Sequence, residues 1–276
     1  MLRVYGLGCH GGMIDAEREK IPDGATWIDL EEPTEAEEAL VERCIGFGIP
    51  TQVDLQEIEP SSRFYERGGT LYMTASALTG ITEDEPTTVP IAFVLSDKRL
   101  VTIRYDSPKP LRDFQAHVRH EPELVATAAT ALMRLLDAMI DRLADELEGL
   151  GDEIEALSKI IFDKRLEARR IPADKLTALL TRIGRGQTLC TKIRYSSVST
   201  SRMLGFLAAS TRLSGEAKVD RRLHLSTLIT DVSSLSEHTT FISDNFIFLL
   251  DACLGLISIE QNAAMKVFSW AAIIFM

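Results

Sequence analysis

Residues 219–276 read VDRRLHLSTLITDVSSLSEHTTFISDNFIFLLDACLGLISIEQNAAMKVFSWAAIIFM, without a single proline. Leu225, Leu228, Val232, Leu235, Thr239, Ile242, Phe246, Leu249, Cys253 and Leu256 recur at spacings of three and four. That rhythm predicts one continuous helix with a coiled-coil-like packing seam, in which Thr239 is the polar member. Such a helix would be roughly 87 Å long. Its last stretch, VFSWAAIIFM (267–276), carries no charge. Ten helical residues cover about 15 Å, half of the ~20 residues a membrane span requires. The expectation is a stalk helix that enters a bilayer and stops inside it.

Upstream, the pattern is also helical. Leu132, Leu136, Met139, Leu143, Leu147, Leu150, Ile154, Leu157 and Ile161 keep one apolar face over about eight turns. Pro172 predicts a break, because proline removes a donor and clashes inside a helix. A second helix is predicted over 173–209, weakened by Gly184 and Gly186, with a turn at Ser214–Gly215 before the stalk. Three long helices need partners for their apolar faces. A homo-oligomer would supply them.

All ten prolines lie at or before Pro172, and the β-type runs cluster early too. TWIDL (26–30), TLYMTASAL (70–78), VPIAFVL (89–95) and RLVTIRY (99–105) read as strands bounded by turn residues. TEAEEALVERCIGF (34–47) reads as a helix capped by Thr34, with Glu37 as capping-box partner. The fold class is therefore α+β: an N-terminal α/β/α domain over 1–121, a long antiparallel helix pair over 122–218, the stalk helix over 219–264 and the start of a transmembrane helix over 265–276.

A chain of 276 residues with 45% hydrophobic content can bury a sizeable core. Its charge is uneven. Residues 1–170 hold 33 Asp and Glu against 19 Lys and Arg, a net of −14; the remainder hold 8 against 11, a net of +3, which together make the −11 of the whole. The acidic N-terminal part argues against a nucleic-acid partner, which would want a basic footprint. Four scattered cysteines, with no Cys-x-x-Cys pair, speak against a disulfide framework or structural zinc site and for a reducing cytosol. The N-terminus, MLRVYGLGCHGGMIDAEREK, lacks the apolar core of a signal peptide. The bulk of the chain is expected in the cytoplasm, with membrane contact at the C-terminal end.

No catalytic set is legible: there is no Gly-x-Ser-x-Gly, Gly-rich phosphate loop or His-Glu-x-x-His. An enzyme is not expected. His117 and His120 fit one helical face as metal ligands or as solvated residues, and Cys9–His10 sits in a glycine-rich stretch read as a turn. Asp137, Asp141, Asp145, Glu148, Asp152 and Glu155 form a carboxylate stripe along the first long helix. It reads either as the solvated flank of an amphipathic helix or, in an oligomer, as a collector of hard cations, which prefer oxygen ligands. On the stalk, Glu237, Asp244 and Asp251 are seven apart, followed at the same interval by Ser258 and Met265. Glu237, Asp244 and Asp251 each lie two residues after a seam position, roughly 200° around the helix. In a ring of stalks this face would line a passage; in a lone helix it would be solvated. The small, neutral-polar or thioether residues that follow suit an ion that keeps much of its water, as Mg²⁺ does, while the core of a helix bundle would use most of the same types, Asn262 being the exception.

The tail QNAAMKVFSWAAIIFM, with Asn262, Met265 and Lys266, resembles the start of the first transmembrane helix in the CorA-type metal-ion transporter family. DLQEIEPSSRFYERGGTLYMTA (54–75) and IAFVLSDKRLVTIRY (91–105) resemble its cytoplasmic domain, so the likeness covers nearly the whole chain. The resemblance implies a funnel-shaped homopentamer in the bacterial inner membrane. It implies transport of Mg²⁺, with Co²⁺ as a second cargo, Mg²⁺ also regulatory and no organic cofactor. Carried over by position, Asp251, Ser258, Asn262, Met265, Phe268, Ala272 and Met276 would line the pore, and Asp244 and Asp251 would meet metal. The family's Gly-Met-Asn signature and second membrane helix would follow Met276, so the expectation is a chain truncated within its first membrane helix and unable to conduct by itself. A zinc transporter of the same superfamily and a non-transporting regulatory or structural subunit are the alternatives.

Overall fold

The computed structural model describes residues 1–57, 59–81, 85–162, 173–210 and 218–275. The expected break at Pro172 and turn at Ser214–Gly215 lie outside them. In chain order the elements are β1 (Leu2–Gly6), β2 (Cys9–Met13), β3 (Trp27–Glu31), α1 (Glu35–Ile45), the single turns α2 (Gln52–Leu55) and α3 (Pro60–Arg63), β4 (Phe64–Arg67), β5 (Thr70–Thr79), β6 (Thr87–Leu95), β7 (Leu100–Arg104) and α4 (Lys109–His120). A 3-10 turn (Pro122–Val125) leads into α5 (Ala128–Ile161), α6 (Ala173–Ala209) and α7 (Lys218–Phe275).

The strands form one seven-stranded sheet in the order β2-β1-β3-β7-β6-β5-β4, with β3 and β7 its parallel pair. Strand alternation divides the core in two. Trp27, Met73, Phe93 and Leu100 face Leu111, Phe114 and Val118 of α4 together with buried residues of α5, α6 and α7. Ile28, Tyr72, Val94 and Val101 face Leu40 and Val41 of α1 on the other side. The α+β class and its α/β/α layering are as the sequence implies.

Local chemistry sets the ends of α1. The Thr34 hydroxyl accepts from the Glu37 N–H at 3.3 Å, and the Thr34 N–H donates to the Glu37 carboxylate at 2.9 Å. Gly46 ends the helix at φ +84°, donating its N–H to the Glu42 carbonyl. Elsewhere the sheet is finished by a helix. The β4–β5 pairing stops at Phe64↔Met73, leaving the rest of β5 with one open edge. Ser76, three residues past that last pair, turns its N–H and C=O to this edge. The backbone of Ser76 is held there by α6: its N–H donates to the Ser199 hydroxyl at 3.0 Å, and its carbonyl accepts from the Ser196 hydroxyl at 2.6 Å.

The chain divides into two compact units that cut across the long helices. One comprises residues 1–144 and 192–236, and the other 145–191 and 237–276. The described residues of the second lie in α5, α6 and α7 apart from Phe162. Its core includes Leu147, Leu150, Leu157, Leu179, Ile183, Ile242, Phe246 and Leu249. Arg182 of α6 forms a bidentate ion pair with Glu153 of α5, at 2.7 and 2.9 Å. Gly186, which sequence reading treats as a weakness of α6, is required by packing. A Cβ there would lie 2.2 Å from Cζ of Phe246, so glycine is what seats that ring.

Cys9–His10 belongs to β2 rather than to a turn. A register shift at Val4/Tyr5 and the left-handed Gly11, φ +79°, let the short strand pair with β1 around the Tyr5 ring.

Candidate functional site

α7 presents two opposed faces. Leu225, Leu228, Val232, Thr239, Ile242, Phe246, Leu249 and Cys253 of the seam are buried, and Leu235 and Leu256 are partly so. On the other side Glu237, Asp244, Asp251, Ser258, Asn262 and Met265 are exposed. Interleaved with the acids are exposed apolar side chains, notably Phe241 at 62%, Phe248 at 59% and Leu254 at 49%. Large apolar groups alternating with carboxylates on an open helix face are unusual for a simply solvated surface, which carries charges in both signs.

Successive acids at heptad spacing stand about 10.5 Å apart along the axis, too far for two of them to share one ion. Among the described residues no group of three or more His, Cys, Asp or Glu is placed to hold a metal ion. Phe268 and Ala272 continue on α7, and Met276 lies outside the described residues. Among those residues α7 is the one helix long and apolar enough to cross a membrane by length and composition, within Asp220–Ile259.

The other candidate ligands have ordinary surroundings. His117 and His120 are both exposed on α4, and His117 Nδ1 lies 2.9 Å from the Asp113 carbonyl of its own helix. On the α5 stripe, Asp137 is engaged by Arg134 at 3.2 Å and by His224 of α7 at 2.7 Å, while Glu155 pairs with Lys159. Glu148 and Asp152 are exposed. This favours the solvated-flank reading of the stripe within one chain.

Sequence reading missed the polar centre of the sheet domain. Arg104 and Asp29, both fully buried, pair across β7 and β3 at 2.9 Å. The Thr102 hydroxyl donates to Asp29 at 2.6 Å and accepts from the Trp27 indole at 2.9 Å, and Gln115 of α4 donates to Asp29 at 2.7 Å. Arg104 also reaches Glu31 at 2.9 Å, whose other oxygen accepts from Arg3 at 2.7 Å. Burial would raise the Glu31 carboxyl, but hydrogen bonding and charge from Arg104, with Ser107 and Arg3, hold it down to about 2. The signal was present as an aspartate and an arginine inside the apolar runs TWIDL and RLVTIRY. This cluster fastens two strands to α4 and has no opening to solvent at Asp29 or Arg104.

A mixed sheet covered by helices on both faces, followed in the chain by three long helices of which the last carries an open acidic and apolar face, defines a class: a sheet domain whose sequence runs on into long helices, one of them long and apolar enough to cross a membrane. The model of the CorA-like Mg²⁺ transporter proteins matches residues 22–276, and the chain belongs to that family. The magnesium transport protein CorA of Sodalis glossinidius is 29% identical over 278 residues, covering 100% of this chain and 84% of the relative. That of Escherichia coli strain K12 is 28% identical over 263 residues, covering 95% and 80%. Among solved structures, the complete CorA magnesium transporter from Methanocaldococcus jannaschii superposes with a TM-score of 0.77 at 18% identity, over 100% of this chain and 83% of that one. At that identity the likeness is one of fold.

Proposed function

We propose that this protein carries divalent cations, Mg²⁺ first and Co²⁺ second, across the inner membrane of a bacterium as a homopentamer. The observation that carries the reading is the open face of α7, where Asp244 and Asp251 are exposed opposite a buried seam and are followed by Ser258, Asn262 and Met265. Family membership supplies the ion. A single carboxylate per level binds a hydrated cation poorly, whereas five copies around an axis place a ring of oxygens at each level, which suits a hard ion that gives up its water reluctantly. Asp251 would form the ring nearest the membrane, with Asp244 about two turns behind it. Ser258, Asn262, Met265, Phe268, Ala272 and Met276 would then line the passage, neutral enough for the ion to leave. Mg²⁺ in the cytoplasm would also regulate the passage. The sheet domain and most of the helices would stay in the cytoplasm, and lipid contact would belong to the C-terminal end.

Expression of the whole coding sequence in a Mg²⁺-transport-deficient cell tests this. Growth at low Mg²⁺, lost on Asp251→Ala with membrane abundance unchanged, supports it. Good membrane expression with no uptake of Mg²⁺ would overturn it, and preferred uptake of Zn²⁺ would replace it with a zinc transporter.

A further inference from the structure

The seam of α7 has a defect as a packing surface: it repeats. Sliding α7 along α6 by seven residues, about 10.5 Å, places Leu235 or Leu249 where Ile242 stands and buries a similar apolar area. The acids also repeat at seven, so a slid helix would still present carboxylates, but at the wrong level. Something must select one register.

We infer that Gln187 and Ser243, with the Gly186 seat for Phe246, are positioning residues that fix the level of the acidic face of α7. This rests on the reading of that face as the cation path. The Gln187 side-chain amide donates to the Ser243 hydroxyl at 2.9 Å, and that hydroxyl lies 3.3 Å from the Gln187 carbonyl oxygen, both groups half-buried. One residue earlier on α6, Gly186 leaves space for the fully buried ring of Phe246, one turn along α7 from Ser243.

The pair rejects one slide, and the seat acts against both. Moving in one direction brings Leu250 to Gln187, leaving a half-buried amide without its partner. Moving in the other brings Ser236 to Gln187, which keeps a hydroxyl there, but brings Thr239 to Gly186, where a short side chain leaves the ring's space empty. The pair alone tolerates the second slide, while the seat disfavours both, since Cys253 in the first leaves the ring's space empty as Thr239 does in the second. Together they specify one register, as a single buried polar pair does in a coiled coil. Asp244 directly follows Ser243, so the lock acts on the residue next to the proposed cation level.

The test has two arms. In the purified protein, Gln187→Ala, Ser243→Ala and the double variant form a thermal-unfolding cycle. The double should lower the melting midpoint by less than the two singles summed, and strict additivity would overturn the pairing. In proteoliposomes holding the product of the whole coding sequence, either single should raise the half-saturating Mg²⁺ concentration several-fold at similar maximal flux, and the exchanged pair Gln187→Ser with Ser243→Gln should restore it. Wild-type saturation in both singles, or a shift that the exchanged pair does not reverse while its melting midpoint recovers, would overturn the positioning role. Coupling in the first arm without Mg²⁺ flux in any form would instead refute the transport reading and leave the register lock standing.

Discussion

The sheet domain and the helical unit each have to set one element against another, and they do so with different means. In the sheet, β3, β7 and α4 meet through Asp29, Thr102, Arg104 and Gln115, a set of charges and hydrogen bonds that fits one arrangement. In the helical unit, α6 and α7 meet along leucines and isoleucines that fit several, and a glycine, a phenylalanine and one polar pair decide among them. The difference teaches where each region is vulnerable. The sheet fails when a partner is removed and a charge is stranded. The helices fail when a contour is altered, and they tolerate loss of surface polarity.

The contrast is broken most severely at Arg104. Arg104→Ala strands the fully buried Asp29, and about 3–5 kcal/mol of stability should be lost, read by chemical denaturation. A loss within the range of a surface ion pair would mean that the cluster is not the sheet's anchor. Acid acts on the neighbouring carboxylate. Glu31 titrates near 2 when folded, below the value near 4.5 of the unfolded chain, so its contribution is complete above about pH 4.5. It should drain away as pH falls toward 2, and Glu31→Gln should flatten that part of the stability profile.

On the helical side the effects are those of shape. Gly186→Ala drives a methyl into the Phe246 ring and should cost about 1–3 kcal/mol, much of it recovered by adding Phe246→Leu. Gly184→Ala is the smallest change and has the opposite sign. Nothing lies within 4 Å of its Cβ position, and a helix gains about 0.5–1 kcal/mol from alanine over glycine, measurable as a raised melting midpoint. If both alanines were stabilising, the seat for Phe246 would not exist.

What could be read from residues alone follows the same division. β3, β5, β6 and β7 carry strong apolar runs, and α5, α6 and α7 keep a helical period for many turns, so their existence and type were legible. β2, with two glycines in CHGGM, and β4, with Glu and Arg in FYER, are edge strands whose pairing comes from their neighbours. The open face of α7 was visible as a heptad of acids because it lies on one helix. The Asp29–Arg104 pair and the Gly186–Phe246 contact were not, since each joins positions about 60 or more apart in a chain whose local pattern gives no hint of the partner.

The hydroxyls that finish β5 also impose an order on synthesis. The strand that needs covering is made 123 residues before Ser199, the side chain that covers its amide. At a typical 5–20 residues per second, the ribosome leaves that edge bare for about 6–25 s. During that interval the nascent sheet displays unpaired backbone groups beside an apolar face, a template for other extended chains. A chaperone that holds the chain until α6 emerges would matter more for this protein than its finished, well-covered sheet suggests.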